Sequence, residues 1–138
     1  MSDMKDFNQK IIEEFRSNNG VVGGPFEGAP LVIITTTGAK SGKRRENPLV
    51  CYEGDDGTLY VFASKGGAPT DPDWYRNLVA HPEVKVEFGV TDFQATAVEV
   101  LGEKRDEIYA EQVKRMPTFG EYQEKAGRVI PVIALVAN

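Results

Sequence analysis

The most chemically distinctive residues of the chain lie in one short stretch, GAKSGKRRE, at residues 38–46. Its cationic side chains are Lys40, Lys43, Arg44 and Arg45. The stretch also holds the Ser41 hydroxyl, and its first carboxylate is Glu46. A loop of this composition offers backbone N–H groups, a hydroxyl and several cations to one anionic ligand. We interpret it as an anion-binding loop, and a solvated hairpin tip is the ordinary alternative.

The glycine spacing excludes two common phosphate-binding motifs. It matches neither the Gly-x-x-x-x-Gly-Lys-Ser/Thr of a P-loop nor a Gly-x-Gly-x-x-Gly that opens a helix. An apolar, β-branched run precedes the loop at residues 31–37, and a second apolar run follows at 49–52. The pattern therefore predicts strand, loop, strand. Side-chain charge and loop amides, rather than a helix dipole, would hold the anion.

A second loop of small residues, SKGGAP at 64–69, follows a predicted hairpin. The strands at 50–53 and 58–63 flank the turn sequence GDDG, in which Asp and Gly tolerate the positive φ of tight turns. Ser64 and Lys65 stand where the second strand ends. This loop is the second candidate ligand site.

The N-terminal residues 3–19 have the pattern of an amphipathic helix. Apolar residues recur every four positions from Phe7 to Phe15, and Gly20 ends the pattern. Such a helix usually covers a sheet or barrel, with contact to a membrane surface or closure over a pocket as alternatives. The glycine- and proline-rich residues 21–30 are interpreted as a connector.

Three further helices are predicted downstream. In the first, Asp71 is the expected N-cap with Pro72 at the first helical position, and His81 marks the end. The second covers residues 102–115, and the short third one ends at Gly127.

The remaining apolar alternation predicts strands at 84–88, 93–100 and 129–136, the last interrupted by Pro131. This proline predicts a sheet edge or a bulge. About six strands with three or four helices and mostly short turns favour a small antiparallel barrel with helices packed outside. An open α+β sheet is the competing architecture.

The overall composition indicates one soluble domain. The chain has 138 residues, 41% of them hydrophobic and 27% charged, and a net charge of −5 that argues against nucleic-acid binding. The single cysteine, Cys51, is expected as a buried free thiol, and with His81 as the only histidine no zinc or other metal site is predicted. The start of the chain shows no secretory signal, so a cytoplasmic location is expected.

Three ordered motifs resemble the deazaflavin-dependent nitroreductase family, also called the flavin/deazaflavin oxidoreductases of the A class. They are TTTGAKSGKRRENPL, FASKGGAPTDPDWYRNLVAHPEV and EYQEKAGRVIPVIAL, and the likeness covers nearly the whole chain. It implies an α+β, mainly β, antiparallel split β-barrel of the FMN-binding-like type. This single deazaflavin-binding domain would span residues 1–138, with the N-terminal helix over 1–20. The implied cofactor is coenzyme F420, a deazaflavin with a phospholactyl-oligoglutamate tail.

The resemblance also implies where the cofactor would bind. The residues expected at its phosphate are Ala39, Lys40, Ser41 and Arg45, while Lys43 and Arg44 face the glutamate tail or the solvent. Those expected along the ring are Glu46, Asn47, Pro48, Leu49 and Val50, and those approaching from the next strand are Phe62, Ala63, Ser64 and Lys65. Those expected to close one side are Asp73, Trp74, Tyr75, Arg76 and Asn77. Trp74 also fits ordinary core packing.

Members of this family typically transfer a hydride from the reduced deazaflavin to quinones, activated alkenes or nitro compounds. Ser64, Lys65 or a backbone amide would stabilise an anionic acceptor, and Tyr122 or water would deliver a proton. The implied acceptor pocket contains Met116, Phe119, Tyr122 and Trp74. Relatives that reduce bulky nitroimidazoles carry more tyrosines where this chain has Met116 and Phe119, so we expect weak or absent activity on such compounds.

Two other functions fit the same binding loops. One is a non-catalytic deazaflavin carrier, and the other is an FMN-dependent reductase on the same fold. The partner expected in the reductase case is a small-molecule hydride acceptor, and a monomer is favoured over a homodimer.

Overall fold

The computed structural model describes residues 2–23 and 30–138, where six antiparallel strands close into a barrel in the order β1-β2-β3-β6-β5-β4. The strands are β1 (Leu31–Thr37), β2 (Arg44–Glu53), β3 (Leu59–Phe62), β4 (Glu83–Phe88), β5 (Thr91–Val100) and β6 (Val132–Ala137). The helices are α1 (Ser2–Ser17), α2 (Asp73–Ala80), α3 (Gly102–Arg115) and α4 (Thr118–Ala126). The predicted antiparallel barrel is confirmed, and the open-sheet alternative is wrong. Most of the predicted connector, residues 24–29, lies outside the described residues.

The barrel interior is filled by aliphatic side chains from all six strands. In β1, Val32 and Ile34 face this interior, whereas Leu31 and Ile33 face outward, as the two-residue period of a strand requires. Helix α2 adds Trp74 and Leu78 to the same interior cluster. Trp74 is therefore part of the barrel core.

Two helical layers cover the outside of the barrel. Helix α1 packs Ile11, Ile12 and Phe15 on the outer side of β1, so its apolar face is buried against the barrel. This packing gives no support to a membrane contact through α1. On another side, α3 and α4 cover an aromatic layer on β3 and β6. No helix within the described residues is long and apolar enough to cross a bilayer.

Two local predictions are wrong. Pro131 precedes β6 instead of interrupting it, and β6 pairs with β3 on one side and β5 on the other, so it is no edge strand. Asp71 is not the N-cap of α2, because Pro72 occupies that position without a side-chain cap and the Asp71 carboxylate is engaged elsewhere. The predicted helix end at His81 and the left-handed Gly127 after α4 are confirmed.

Candidate functional site

Strand β2 changes its neighbours halfway along its length. Residues 44–50 pair with β1, whereas β3 pairs with β2 only at residues 51–53. Within the described residues, the second edge of 44–50 has no strand beside it. This opening splits the barrel, and the free N–H and C=O groups along it can hydrogen-bond a planar ligand.

The outward face of β2 beside this opening lies between the two helical layers. Val50 packs both on the apolar cluster under α1 and on the aromatic cluster under α3 and α4. Pro48 and Val50 are partly exposed and share this face, because alternate residues of a strand point the same way. We call this strip of β2, between the cluster under α1 and the cluster under α3 and α4, the groove along β2.

The basic loop is a tight turn at the start of β2. Gly38 N–H donates to Lys43 O at 2.7 Å, and Gly42, with φ of +71°, donates to Gly38 O at 3.0 Å. Ser41 Oγ accepts from Lys43 N–H at 3.2 Å. Among the described residues, the N–H groups of Lys40 and Ser41 have no acceptor. Two consecutive free N–H groups suit an anion.

Four cations project from this turn and from the strand that follows it. Arg44 and Arg45 belong to β2, so the interpretation of both as loop residues is wrong. Over residues 2–23 and 30–138, none of Lys40, Lys43, Arg44 and Arg45 forms an ion pair, and all four are exposed. In a chain of net charge −5, this concentration of unpaired positive charge favours an anionic ligand.

Asn77 of α2 holds the basic loop against the barrel. Its Oδ1 accepts from Ala39 N–H at 3.0 Å, and its Nδ2 donates to Thr36 Oγ1 at 3.4 Å. Thr36 is fully buried. The loop that carries Lys40 is thereby anchored to a rigid element.

The second candidate loop contains a 3-10 turn at Lys65–Gly67. Lys65 has φ of +48°, in the left-handed region that a residue with a side chain seldom adopts. Its Nζ donates to Thr70 Oγ1 at 3.3 Å. Such a backbone conformation needs support from its surroundings.

Arg128 supplies that support, and the sequence analysis did not single it out. Its guanidinium donates to the carbonyl oxygens of Ala63 (3.0 Å), Thr70 (3.0 Å) and Ala68 (3.2 Å). It also pairs with Asp71 Oδ1 at 2.8 Å. Most of its partners are backbone carbonyl oxygens, so no pattern of side chains in the sequence could predict this role.

The 3-10 turn lies against α4. A Cβ atom on Gly67, which has φ of +88°, would stand 3.2 Å from Tyr122 Cα. The close approach brings the loop of Ser64 and Lys65 next to the helix that carries Tyr122. The three predicted catalytic residues are therefore on neighbouring elements.

The residues of the predicted acceptor pocket fall into two clusters. Phe119 packs edge-on against Phe62 at 5.5 Å and Tyr122 at 5.2 Å between ring centroids, and Met116 joins this aromatic layer. Trp74 belongs to the barrel interior instead. The structure therefore brings three of the four together.

Several residues expected along the cofactor have partners of their own. Glu46 accepts from Arg16 of α1 at 2.7 Å, Asp73 pairs with Arg76 at 2.8 Å, and Tyr75 Oη donates to Glu99 Oε1 at 2.6 Å. Arg16 also forks onto Glu87 of β4, with N–O distances of 3.0 and 2.7 Å. Sequence reasoning missed this connection between α1, β2 and β4, because its members are far apart in the chain.

Comparisons with known proteins place the chain in a family. The family model described as F420H(2)-dependent quinone reductase matches residues 8–137. The chain belongs to the F420H(2)-dependent quinone reductase family. An F420H(2)-dependent quinone reductase from Mycobacterium tuberculosis (strain ATCC 25618 / H37Rv) is 35% identical over 125 residues, covering 88% of this chain and 83% of that protein. The resemblance found in the motifs is thus confirmed, and the protein is an F420-dependent reductase.

Solved structures agree with this membership. An F420-H2 dependent reductase (FDR-A) has a TM-score of 0.70 at 43% identity, covering 77% of this chain and 93% of that chain. A structure described as a domain-swapped dimer has a TM-score of 0.72 at 37% identity, covering 95% and 98%. Both similarities extend over most of the barrel.

The groove fits the two ends of coenzyme F420. At the start of β2, cations and loop amides that have no partner among the described residues suit the phosphate and carboxylates, and the partly apolar face of β2 suits the ring. Within the described residues, no group of three or more His, Cys, Asp or Glu could hold a metal ion. Two surface cavities of about 390 and 230 Å³ lie elsewhere, at the α3–β6 side and between α1 and the β4–β5 turn.

Cys51 is buried inside the barrel. Its side chain is in the barrel interior, and burial raises the pKa of its thiol to about 12. The thiol is therefore protonated at neutral pH and a poor nucleophile. The predicted buried free cysteine is confirmed.

Proposed function

We propose that this reductase transfers a hydride from reduced coenzyme F420 to a quinone, in the groove along β2. One observation carries the proposal: residues 44–50 of β2 have no strand beside their second edge within the described residues. They follow and include four cations that form no ion pair there, and they continue as a partly apolar strip between two helical layers. A ligand with an anionic tail and a planar ring matches both parts. The quinone names of the family and of its mycobacterial relatives support the choice of acceptor.

The cofactor would lie with its phosphate at the basic loop and its ring along β2. In this arrangement Lys40, Ser41 and Arg45 hold the phosphate together with the N–H groups of Lys40 and Ser41. The expected contribution of the Ala39 backbone is not kept, because its N–H donates to Asn77 Oδ1. Residues 46–50 line the ring, and residues 62–65 approach it across the opening. Residues 73–77 contribute through Asn77, which fixes the loop, while Lys43 and Arg44 face the tail.

The bound reduced deazaflavin supplies a hydride, which carries two electrons to the acceptor. A quinone that gains this hydride and one proton becomes a hydroquinone. Ser64 and Lys65 would stabilise the negative charge that develops on the acceptor oxygen. Tyr122 or water would deliver the proton, and an unchanged turnover of Tyr122→Phe would eliminate the tyrosine.

The same groove leaves room for other two-electron acceptors. Activated alkenes and nitro compounds are included in the proposal, because positioning by the groove matters more than acceptor type. Bulky nitroimidazoles are expected to be poor substrates, since Met116 and Phe119 offer no hydroxyl to hold them.

We also propose a monomer in the cytoplasm. The buried apolar face of α1 supports the monomer, and a single buried free cysteine fits a reducing compartment such as the cytoplasm. The domain-swapped dimer of a relative is the alternative assembly.

The test is a titration of the purified protein with oxidised F420, followed by reduced F420 with menadione while deazaflavin absorbance is recorded. Binding with recovery of absorbance is the expected result. Binding without turnover across quinones and enones would favour a carrier instead. No binding would contradict the proposal and redirect the search to FMN.

A further inference from the structure

One carboxylate lies on the outward face of β2, within the groove along β2. Arg44, Glu46, Pro48 and Val50 alternate along the strand and therefore share a face. Val50 packs on the cluster under α1, so this face is the outward one. Glu46 thus lies between a cation and the partly apolar strip, and its side chain is 38% exposed. A free negative charge at this position would oppose an anionic ligand.

Arg16 of α1 occupies this carboxylate. Its Nη2 donates to Glu46 Oε2 at 2.7 Å, while its Nε and Nη2 donate to Glu87 of β4 at 3.0 and 2.7 Å. The two bonds to Glu87 form a bidentate pair, which fixes the plane of the guanidinium. Glu87 therefore holds Arg16 in the position from which it reaches Glu46.

The second carboxylate of this bridge lies one strand further from the groove. Ile33 of β1 pairs with Pro48 on one side and with Glu87 on the other, so β1 separates Glu87 from β2. Salt screens exposed charges more strongly as their separation grows. A ligand in the groove along β2 would therefore interact with the charge of Glu46 more strongly than with that of Glu87.

Without Arg16, the Glu46 carboxylate would have another cation within reach. Arg44 precedes it by two positions on the same face, and residues so placed are about 6.7 Å apart along a strand. Both side chains are long enough to close this distance. Over the described residues Arg44 forms no ion pair, so it can bind a ligand. A pair with Glu46 would take Arg44 away from that ligand.

We propose that Arg16 is a positioning residue for the cofactor: it neutralises Glu46 and so leaves Arg44 free for the anionic tail. This inference rests on the proposed function, because it requires an anionic cofactor in the groove along β2. Arg16 acts through Glu46 and Arg44. Helix α1 thereby contributes to ligand affinity in addition to covering the barrel.

The test compares F420 binding of Arg16→Met in two backgrounds, by fluorescence titration at physiological ionic strength. With Glu46 present, the Kd should rise about fivefold, because the freed carboxylate repels the tail and competes for Arg44. With Glu46→Gln, the same replacement should raise the Kd by less than about twofold. This difference measures the coupling of the two residues. An unchanged Kd in Arg16→Met, or an equal rise in both backgrounds, would overturn the proposal.

Glu87→Gln is the matched control, because it removes a contact between α1 and the barrel while Arg16 remains beside Glu46. Its Kd for F420 should not rise. A rise equal to that of Arg16→Met would assign the effect to loosening of α1 and would overturn the proposal.

Arg16→Lys tests the charge itself, because it keeps a cation beside Glu46. It should retain most of the affinity for F420, and a Kd equal to that of Arg16→Met would contradict the proposal. Circular dichroism checks that each variant is folded. Arg16→Gln takes the place of Arg16→Met in the comparison of backgrounds if the methionine variant does not fold.

Failure of the proposed function would look different. A wild type that binds F420 without reducing menadione would contradict the reductase, whereas the comparison of Kd values would still decide the role of Arg16. If F420 does not bind, the same variants are titrated with FMN, whose phosphate is then the anion. A wild type that binds neither would overturn this inference together with the proposed function.

Discussion

Lys40 stands on a loop whose fold does not depend on it, because its side chain is exposed and forms no ion pair among the described residues. Lys40→Ala should therefore weaken F420 binding without unfolding the protein. A charge-assisted bond contributes about 1.5–3 kcal/mol, so the Kd should rise roughly ten- to a hundredfold. Fluorescence titration at fixed ionic strength measures it.

Lys104→Ala is the control for this experiment at the residue scale. Lys104 lies near Asp56 of the β2–β3 turn, at the opposite end of β2 from the basic loop. The same loss of charge there should leave the Kd unchanged. Equal weakening by the two variants would show that only the net charge matters, and the loop would lose its special role.

Some functional residues could be predicted from the sequence, and others could not. The cations at 40–45 were visible because their chemistry lies in the side chains themselves. Arg128 was not, because its partners are the carbonyl oxygens of a loop some sixty residues away in the chain. The sequence around a single arginine does not indicate which backbone carbonyl groups its side chain will hydrogen-bond.

At the scale of elements, Arg128 fixes the loop between β3 and α2. Arg128→Met should destabilise the protein by about 3–5 kcal/mol, because it leaves several carbonyl oxygens and Asp71 without their donor. Asp71→Asn should lower the free energy of unfolding by less, since the Arg128 guanidinium keeps its carbonyl partners. Urea unfolding gives both values, and a larger loss in Asp71→Asn would contradict this order.

Helix α1 is tied to the barrel by a contact that depends on pH. The Arg16 guanidinium holds the pKa of Glu87 below its usual range. Because the pKa is lower in the folded state, the stabilisation is complete above the unfolded pKa of about 4.5 and is lost as pH falls through the folded value. Lowering the pH should therefore weaken the contact between Arg16 of α1 and Glu87 of β4.

Glu87→Gln tests the tie directly. The variant should be less stable than the wild type by about 1 kcal/mol at pH 7, a modest value because Arg16 is partly exposed. The difference should shrink as the pH falls through the folded pKa of Glu87. A difference that persists at low pH would assign the loss to packing instead of charge.

For the whole molecule, the strand patterns predicted a barrel, but only the pairing of β2 revealed where it opens. The split arises because β3 turns away after Phe62 into the loop held by Arg128. Such a divergence depends on contacts distant in sequence. The position of the groove could therefore be inferred by resemblance and not from periodicity.

The free edge of β2 leads to a prediction about assembly. Over the described residues, the unpaired edge at 44–50 begins with Arg44 and Arg45, and charged side chains oppose edge-to-edge pairing of two chains. The protein should therefore be a monomer of 15.2 kDa by light scattering. The mass should not change with protein concentration or with added F420, because the cofactor would occupy that edge within one chain. A mass of about twice this value would contradict the prediction. Loss of the dimer on dilution would point to pairing at the edge, and a dimer that persists on dilution would point to an exchange of strands.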